Sequence, residues 1–274
     1  MGVLVSGIAS AFLDLHRLDR LAAQDSMVHR LDARVKVLIT FAFLVCVVSF
    51  DKYVIAGMLP FAFFLVLALG LGGIPSGFII NKLILVAPLA LLIGLFNPVY
   101  DQQPLMQLGG VTISGGWCSL CSLLLRFCLT VAAVLALVAT TGFNAVCMAL
   151  KQMGMPAVFA TQLLLLYRYL FVLVEEGRRL DRARTLRSFQ GRGLGMRTFG
   201  PLIGNLLLRT LDRSQRIHLA MRCRGFDGAI RTCRPARLNG RDVLVLAAAG
   251  CVLLAMRIVD GPSLLGRFVA GLLA

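Results

Sequence analysis

Residues Trp117 to Thr141 read WCSLCSLLLRFCLTVAAVLALVATT, twenty-five residues with one charge, Arg126. As a helix this stretch is roughly 38 Å long, more than the ~30 Å hydrocarbon core of a bilayer. A soluble core rarely swallows so long a run with a single charge, so the stretch reads as a membrane span, with Trp117 as an interface anchor. The residues before it, Asn97 to Gly116, are rich in Gly, Gln and Pro, include Asp101, and lack Lys and Arg. They read as a loop.

Other apolar runs flank this one. Val37–Phe50 is short, but Lys36 and Lys52 at its ends can snorkel. Tyr53–Gly70 follows, then a turn at 72–76, then Phe78–Phe96, which contains Lys82 and Pro88. A proline is tolerated inside a membrane helix. Beyond the 117–141 run come a short connector, Gly142–Met155, and another apolar stretch, Pro156–Val174, which runs into Glu175, Glu176, Arg178 and Arg179. A Gly-rich break falls at Gly191, Gly193 and Gly195. Thr198–Arg222 reads as an amphipathic helix with Thr198 as N-cap and Pro201 in its first turn. Phe199, Leu202, Ile203, Leu206, Leu207, Leu211, Ile217 and Met221 recur on it at close to helical period. Val243–Val259 is the last apolar run.

The composition agrees with this map. Of the 274 residues 58% are hydrophobic and 15% are charged, and mean hydropathy is +0.85. Soluble domains carry roughly 25% charged residues. The net charge of +15 could point to nucleic acid, but sixteen of the 28 Lys and Arg residues fall between Glu175 and Arg241, all of them Arg. That segregation is how basic residues distribute on the cytoplasmic side of a membrane, and no nucleic-acid partner is expected. The basic leader (Met1–Lys36) and the Arg-rich block should share that side, so an even number of crossings separates them. Four do, if Pro156–Val174 does not cross. The expected fold is therefore an all-α polytopic membrane bundle of about five spans with long cytoplasmic helices. The N-terminus is inside and the C-terminus outside. A six-span map that splits another segment is the alternative. Residues 1–155 form the leader and spans one to four, 156–241 the cytoplasmic helical region, and 242–274 the last span and tail.

Chemistry is sparse. There is no GxxxxGK[ST] loop, HExxH or GxSxG. His16, His29 and His218 are isolated. Cys118 and Cys121 form a CxxC without a second pair, so no tetrahedral metal site is completed. No catalytic residue, metal site or cofactor is expected, and ATP should be hydrolysed elsewhere. Arg126 is an intramembrane functional candidate, because a charge inside the bilayer is expensive. It could pair with a carboxylate, line a cavity or bond backbone carbonyls. Two similar elements stand at predicted helix ends, ARTLRSF (183–189) and AMRCRGF (220–226). An Arg there complements the helix dipole and offers a fork that matches a carboxylate.

These elements carry a resemblance. With Arg30–Lys36 (RLDARVK), Tyr167–Leu170 leading to Glu176, and Arg213–Gly228 (RSQRIHLAMRCRGFDG), the chain resembles the CbiQ family along essentially its whole length. These are membrane T components of energy-coupling-factor (ECF) cobalt transporters, ABC-type importers. The resemblance implies two X-Arg-X motifs, here Leu186-Arg187-Ser188 and Cys223-Arg224-Gly225. Both depart from the usual Ala-Arg-Gly at the first residue, and the first has Ser for Gly. It implies that Arg187 and Arg224 dock on two ATP-binding ATPase subunits, and that the coupling helices transmit their motion to a substrate-binding membrane subunit. It also implies a bacterial plasma (inner) membrane location in contact with lipid. Cobalt is the first expectation for cargo, then nickel, then a vitamin. A stand-alone secondary transporter is the rival class, but neither inverted repeats nor intramembrane carboxylates are visible.

Overall fold

The computed structural model describes residues 17–24, 26, 28–51, 55–100, 104–108, 111–187, 196–228, 230 and 239–258. The fold is an all-α membrane helix bundle with one small hairpin. In chain order the elements are α1 (Ala33–Val48), a 3₁₀ turn (Ala56–Met58) leading into α2 (Leu59–Leu71), α3 (Ser76–Gly94), the short α4 (Asn97–Tyr100), β1 (Pro104–Leu108), β2 (Val111–Ser114), α5 (Gly115–Thr141), α6 (Phe143–Gln152), α7 (Ala157–Arg187), α8 (Met196–Cys223) and α9 (Gly240–Ile258). The chain forms two compact units, residues 21–142 with 236–274, and residues 1–20 with 143–235.

In the first of these units α5 is central and packs against α1, α2 and α3. Its buried face is made of small residues, including Ser119, Ser122, Ala132, Ala133 and Ala139. Small side chains let membrane helices approach closely, which is how such helices associate when lipid is as apolar as the partner. Gly94, at the end of α3, lies so near the beginning of α5 that a Cβ there would be 3.3 Å from Leu123 Cδ2. α3 and α5 are thus antiparallel. Phe43 of α1 meets Phe61 of α2 edge-on at 5.8 Å, and Phe50 meets the same ring at 5.5 Å. Leu59, Phe63, Ile84, Leu85, Leu244 and Leu254 remain exposed, as lipid-facing side chains do.

Charged side chains pin the helix ends of this unit. Asp32 caps α1, its carboxylate accepting from the Arg34 N–H at 2.9 Å. Asn239 and Asp242 form a capping box on α9, with Asp242 Oδ2 accepting from the Asn239 N–H at 3.0 Å. The other oxygen of Asp242 accepts from the Asp32 N–H at 3.4 Å. One buried carboxylate therefore holds the beginnings of both α1 and α9. Lys36 Nζ, also buried, donates to Thr140 O at 3.0 Å and His29 O at 3.3 Å. This brings the end of α5 to the beginning of α1. So α1 and α9 run parallel to each other, and α5 runs against both.

In the other unit α6 packs on α7, and α7 on α8. Tyr167 of α7 stacks on Phe143 of α6 at 4.6 Å and donates its hydroxyl to Asp19 of the leader at 2.8 Å.

Several local expectations need correcting. The segment expected as a plain connector, Gly142–Met155, contains the ten-residue α6, whose Cys147 and Ala149 are buried. The loop 97–116 contains α4 and an antiparallel hairpin paired from Pro104↔Ser114 to Leu108↔Val111. Only the second strand, Val111-Thr112-Ile113-Ser114, alternates apolar and polar residues, and four residues are too short a signal among the glycines. α8 begins at Met196, so Thr198 lies inside it rather than at its cap, and Pro201 falls in its second turn. The Gly-rich break lies outside the described residues. The apolar stretch after Pro156 and the residues following it as far as Arg187 form one continuous helix, α7, which ends within the 183–189 element expected at a helix end. By length and composition α3, α5 and α7 are each able to cross a membrane. The expectation that kept Pro156–Val174 out of the bilayer rested on charge parity, and composition alone does not exclude it.

Candidate functional site

Arg187 is the last residue of α7. It is exposed, and Leu186 beside it is 79% exposed. Ser188 lies outside the described residues. A basic residue in the last turn offsets the partial negative charge of the helix end, and Arg184 and Arg187 both occupy that turn.

The second motif is built with more definition. The Gly225 N–H donates to Arg222 O at 3.0 Å, and the Phe226 N–H donates to Met221 O at 3.0 Å. These two bonds form a Schellman motif, in which Cys223 is the last helical residue, Arg224 the C-cap and Gly225 the left-handed C′ residue. Gly225 has φ +78°, which explains the glycine in Cys-Arg-Gly. Phe226 is half-buried, whereas Cys223, Arg224 and Gly225 are exposed. The chain turns back while the guanidinium of Arg224 stays at the tip.

α7 and α8 form an antiparallel pair. Glu176 Oε1 accepts from Arg209 Nη1 at 2.8 Å near their middles, where Gly177 faces Leu206. Beyond α8 the chain is tied to the beginning of this pair: Thr161 Oγ1 donates to Gly228 O at 3.2 Å, and Lys151 Nζ donates to Ile230 O at 3.1 Å. The structure therefore does not bring Arg187 and Arg224 together. They lie on opposite sides of the Glu176–Arg209 contact, up to about 39 Å apart at 1.5 Å per residue. Ile203, Leu207, Leu208, Leu211 and Leu219 of α8 are exposed.

Arg126 is placed elsewhere, on α5. Its Nη2 donates to Phe50 O at 2.8 Å and Asp51 O at 3.4 Å, just beyond the end of α1. Of the roles open to it, bonding to backbone carbonyls is the one seen. Arg257 of α9 joins it there, donating to Ser49 O at 3.1 Å with its guanidinium 4.3 Å from the centre of the Phe50 ring. Helix carbonyls without partners are costly in a bilayer, and two arginines from neighbouring helices supply donors. Asp242 and Arg257 were not singled out in the sequence, and Lys36, expected to snorkel at the end of a span, is instead buried and donates to backbone carbonyls. The Asn239-x-x-Asp242 spacing, a capping box, was the one local signal available. The partners of Lys36 and Arg257 are far apart in the chain.

Among the described residues no three His, Cys, Asp or Glu side chains converge as metal ligands do. The cysteines described are free thiols.

Fold and helix ends together define a multi-pass, all-α membrane protein. The sequence matches the CbiQ family, described as cobalt transport proteins, over residues 24–233. The chain belongs to that family. The cobalt transport protein CbiQ of Salmonella typhimurium is 27% identical over 149 residues, 50% of this chain and 66% of that protein. Two uncharacterized proteins of Methanocaldococcus jannaschii are 31% identical over 111 residues (39% of this chain, 37% of the relative) and 28% identical over 82 residues (30% and 31%). The chain thus spans just under two thirds of the first of these relatives and about a third of the others.

Proposed function

We propose that the chain is the energy-coupling transmembrane (T) subunit of an ECF-type ABC importer, carrying cobalt ions as cargo. It would link two ATPase subunits to a substrate-binding membrane subunit in a bacterial inner membrane. The observation that carries this reading is the pair of exposed arginine ends, Arg187 and Arg224, held apart by one antiparallel helix pair. Two separated contact points suit two separate ATPase subunits. A guanidinium fork at a helix tip suits an acidic groove on each. Closure of the ATPases on ATP would move the two tips, and the Glu176–Arg209 contact would pass that motion along α7 and α8. The family and the Salmonella relative point to cobalt. Nickel or a vitamin would leave the coupling role unchanged, because a separate subunit selects the cargo.

The test is a pull-down of the ATPase subunits with the full chain, alongside cobalt uptake in cells. Truncating one member of a buried interfacial charge pair costs roughly 2–5 kcal/mol. Arg187→Ala and Arg224→Ala should each leave the chain inserted and weaken capture and uptake. The double variant should nearly abolish both, and Lys at either position should restore them only in part. Arg197→Ala, in the first turn of α8, is the control. Equal, mild losses for all three arginines would remove the docking role.

A further inference from the structure

Two arginines lie at the end of the bundle that carries few basic residues. Arg126 is fourteen residues before Thr140 on α5, and Arg257 is fifteen residues after Asp242 on α9. Thr140 and Asp242 mark one level of the bundle, at the beginning of α1. Both arginines therefore stand about 21–22 Å from that level, at the opposite end of α1. That end faces the same way as the loop 97–116, because α3 finishes beside the beginning of α5. The loop contains no Lys or Arg, as expected for the side away from the basic block. The arginine pair breaks that pattern.

The depth adds a second observation. α1 has 16 residues, about 24 Å of helix, short of the ~30 Å apolar core. Just past its end the carbonyls of Ser49, Phe50 and Asp51 accept from the two guanidinium groups. Val45 and Val48 of α1 and Leu254 and Ile258 of α9 are exposed around that end, and Arg126 and Arg257 are themselves half-buried. Each guanidinium has five N–H donors, and the carbonyl bonds use few of them. Among the described residues neither has a carboxylate partner.

We propose that Arg126 and Arg257 bind the phosphate of an anionic phospholipid drawn inward at the end of α1. The two half-buried forks bond the carbonyls of α1 on one side and the headgroup phosphate on the other. The phosphate supplies a negative charge that no described side chain gives either guanidinium. Drawing the headgroup inward thins the bilayer to the length of α1, the ordinary response to a span that is too short. This site is independent of the ATPase-docking role.

The full chain in nanodiscs of phosphatidylcholine, with or without phosphatidylglycerol, tests it. Retained lipid is read by native mass spectrometry and stability by thermal melting. The wild type should retain one phosphatidylglycerol in preference to phosphatidylcholine and melt higher in its presence. Arg257→Gln, which leaves the carbonyl bonds of Arg126 in place, should weaken that retention about tenfold or more, about 1.4 kcal/mol. Arg257→Lys should retain part of it. Arg213→Gln, which removes an equal charge from α8, should behave as wild type. Equal retention of the two lipids, or unaltered retention by Arg257→Gln, would overturn the proposal. So would a stabilisation by inorganic phosphate alone as large as that by phosphatidylglycerol, since the site would then be a general anion site.

Discussion

Asp242 does two jobs with one carboxylate, completing the capping box of α9 and accepting the N–H of the residue that caps α1. Loss of an N-cap side chain costs about 1 kcal/mol, and here two helix beginnings lose a partner together. Asp242→Ala should therefore lower the melting temperature more than Asp32→Ala, which removes one cap. Circular dichroism in detergent reads the difference. At Gly225 the constraint is conformational, since φ is +78°. Gly225→Ala should cost about 1 kcal/mol, and it should weaken ATPase capture by displacing Arg224 without touching its charge.

At the scale of the elements, long apolar period was legible and pairing was not. The runs that became α3, α5 and α9 could be seen in the sequence because hydropathy needs no partner to declare itself. The end of α8 was legible because Cys223-Arg224-Gly225 is a local motif whose hydrogen bonds close within six residues. α6 was missed because its ten residues have a mixed composition and its burial comes from α7. The end of α7 was legible as well: composition changes at Glu175, but Ala, Leu and Arg are all good helix formers, and the helix continues to Arg187, within the 183–189 element expected at a helix end. The Glu176–Arg209 bond joins residues 33 apart, and neither partner alone announces it. Arg209 is 61% exposed, so the pair is worth about 1 kcal/mol or less. Its use is alignment more than stability. Spin labels at Leu186 and Cys223, with the other cysteines replaced, should give one narrow distance distribution below about 39 Å. Glu176→Arg should broaden it through like-charge repulsion, and adding Arg209→Glu should narrow it again. A distribution unaffected by the single change would show that packing alone sets the crossing.

At the scale of the whole molecule, the question is how often the chain crosses the bilayer. The Lys36–Thr140 bond puts the end of α5 beside the beginning of α1, and the Asp242 contact puts the beginning of α9 there too. The chain therefore leaves the bundle at Thr141 and returns at Gly240 at one level. Whatever the intervening residues do, they must cross the membrane an even number of times. α7 is long and apolar enough to cross, but a lone crossing by α7 would break that parity. A second crossing would have to fall to α8, which contains Arg209, Asp212, Arg213 and Arg216, and charges of that kind oppose insertion by roughly 2.5–3.5 kcal/mol each at mid-bilayer. Zero crossings between Thr141 and Gly240 is then the cheaper solution, with α1, α2, α3, α5 and α9 as the five spans. Single cysteines at Gln103, Gly193 and Ser263, in a background without the native thiols, read this out with an impermeant maleimide on intact cells. Gln103 and Ser263 should label from outside, and Gly193 should label only after the membrane is opened. Labelling of Gln103 without Ser263 would mean an odd number of crossings in residues 142–239, with α7 passing through the bilayer alone. Labelling of Gly193 from outside would place the arginine tips away from any cytoplasmic ATPase and would end the coupling proposal with the topology.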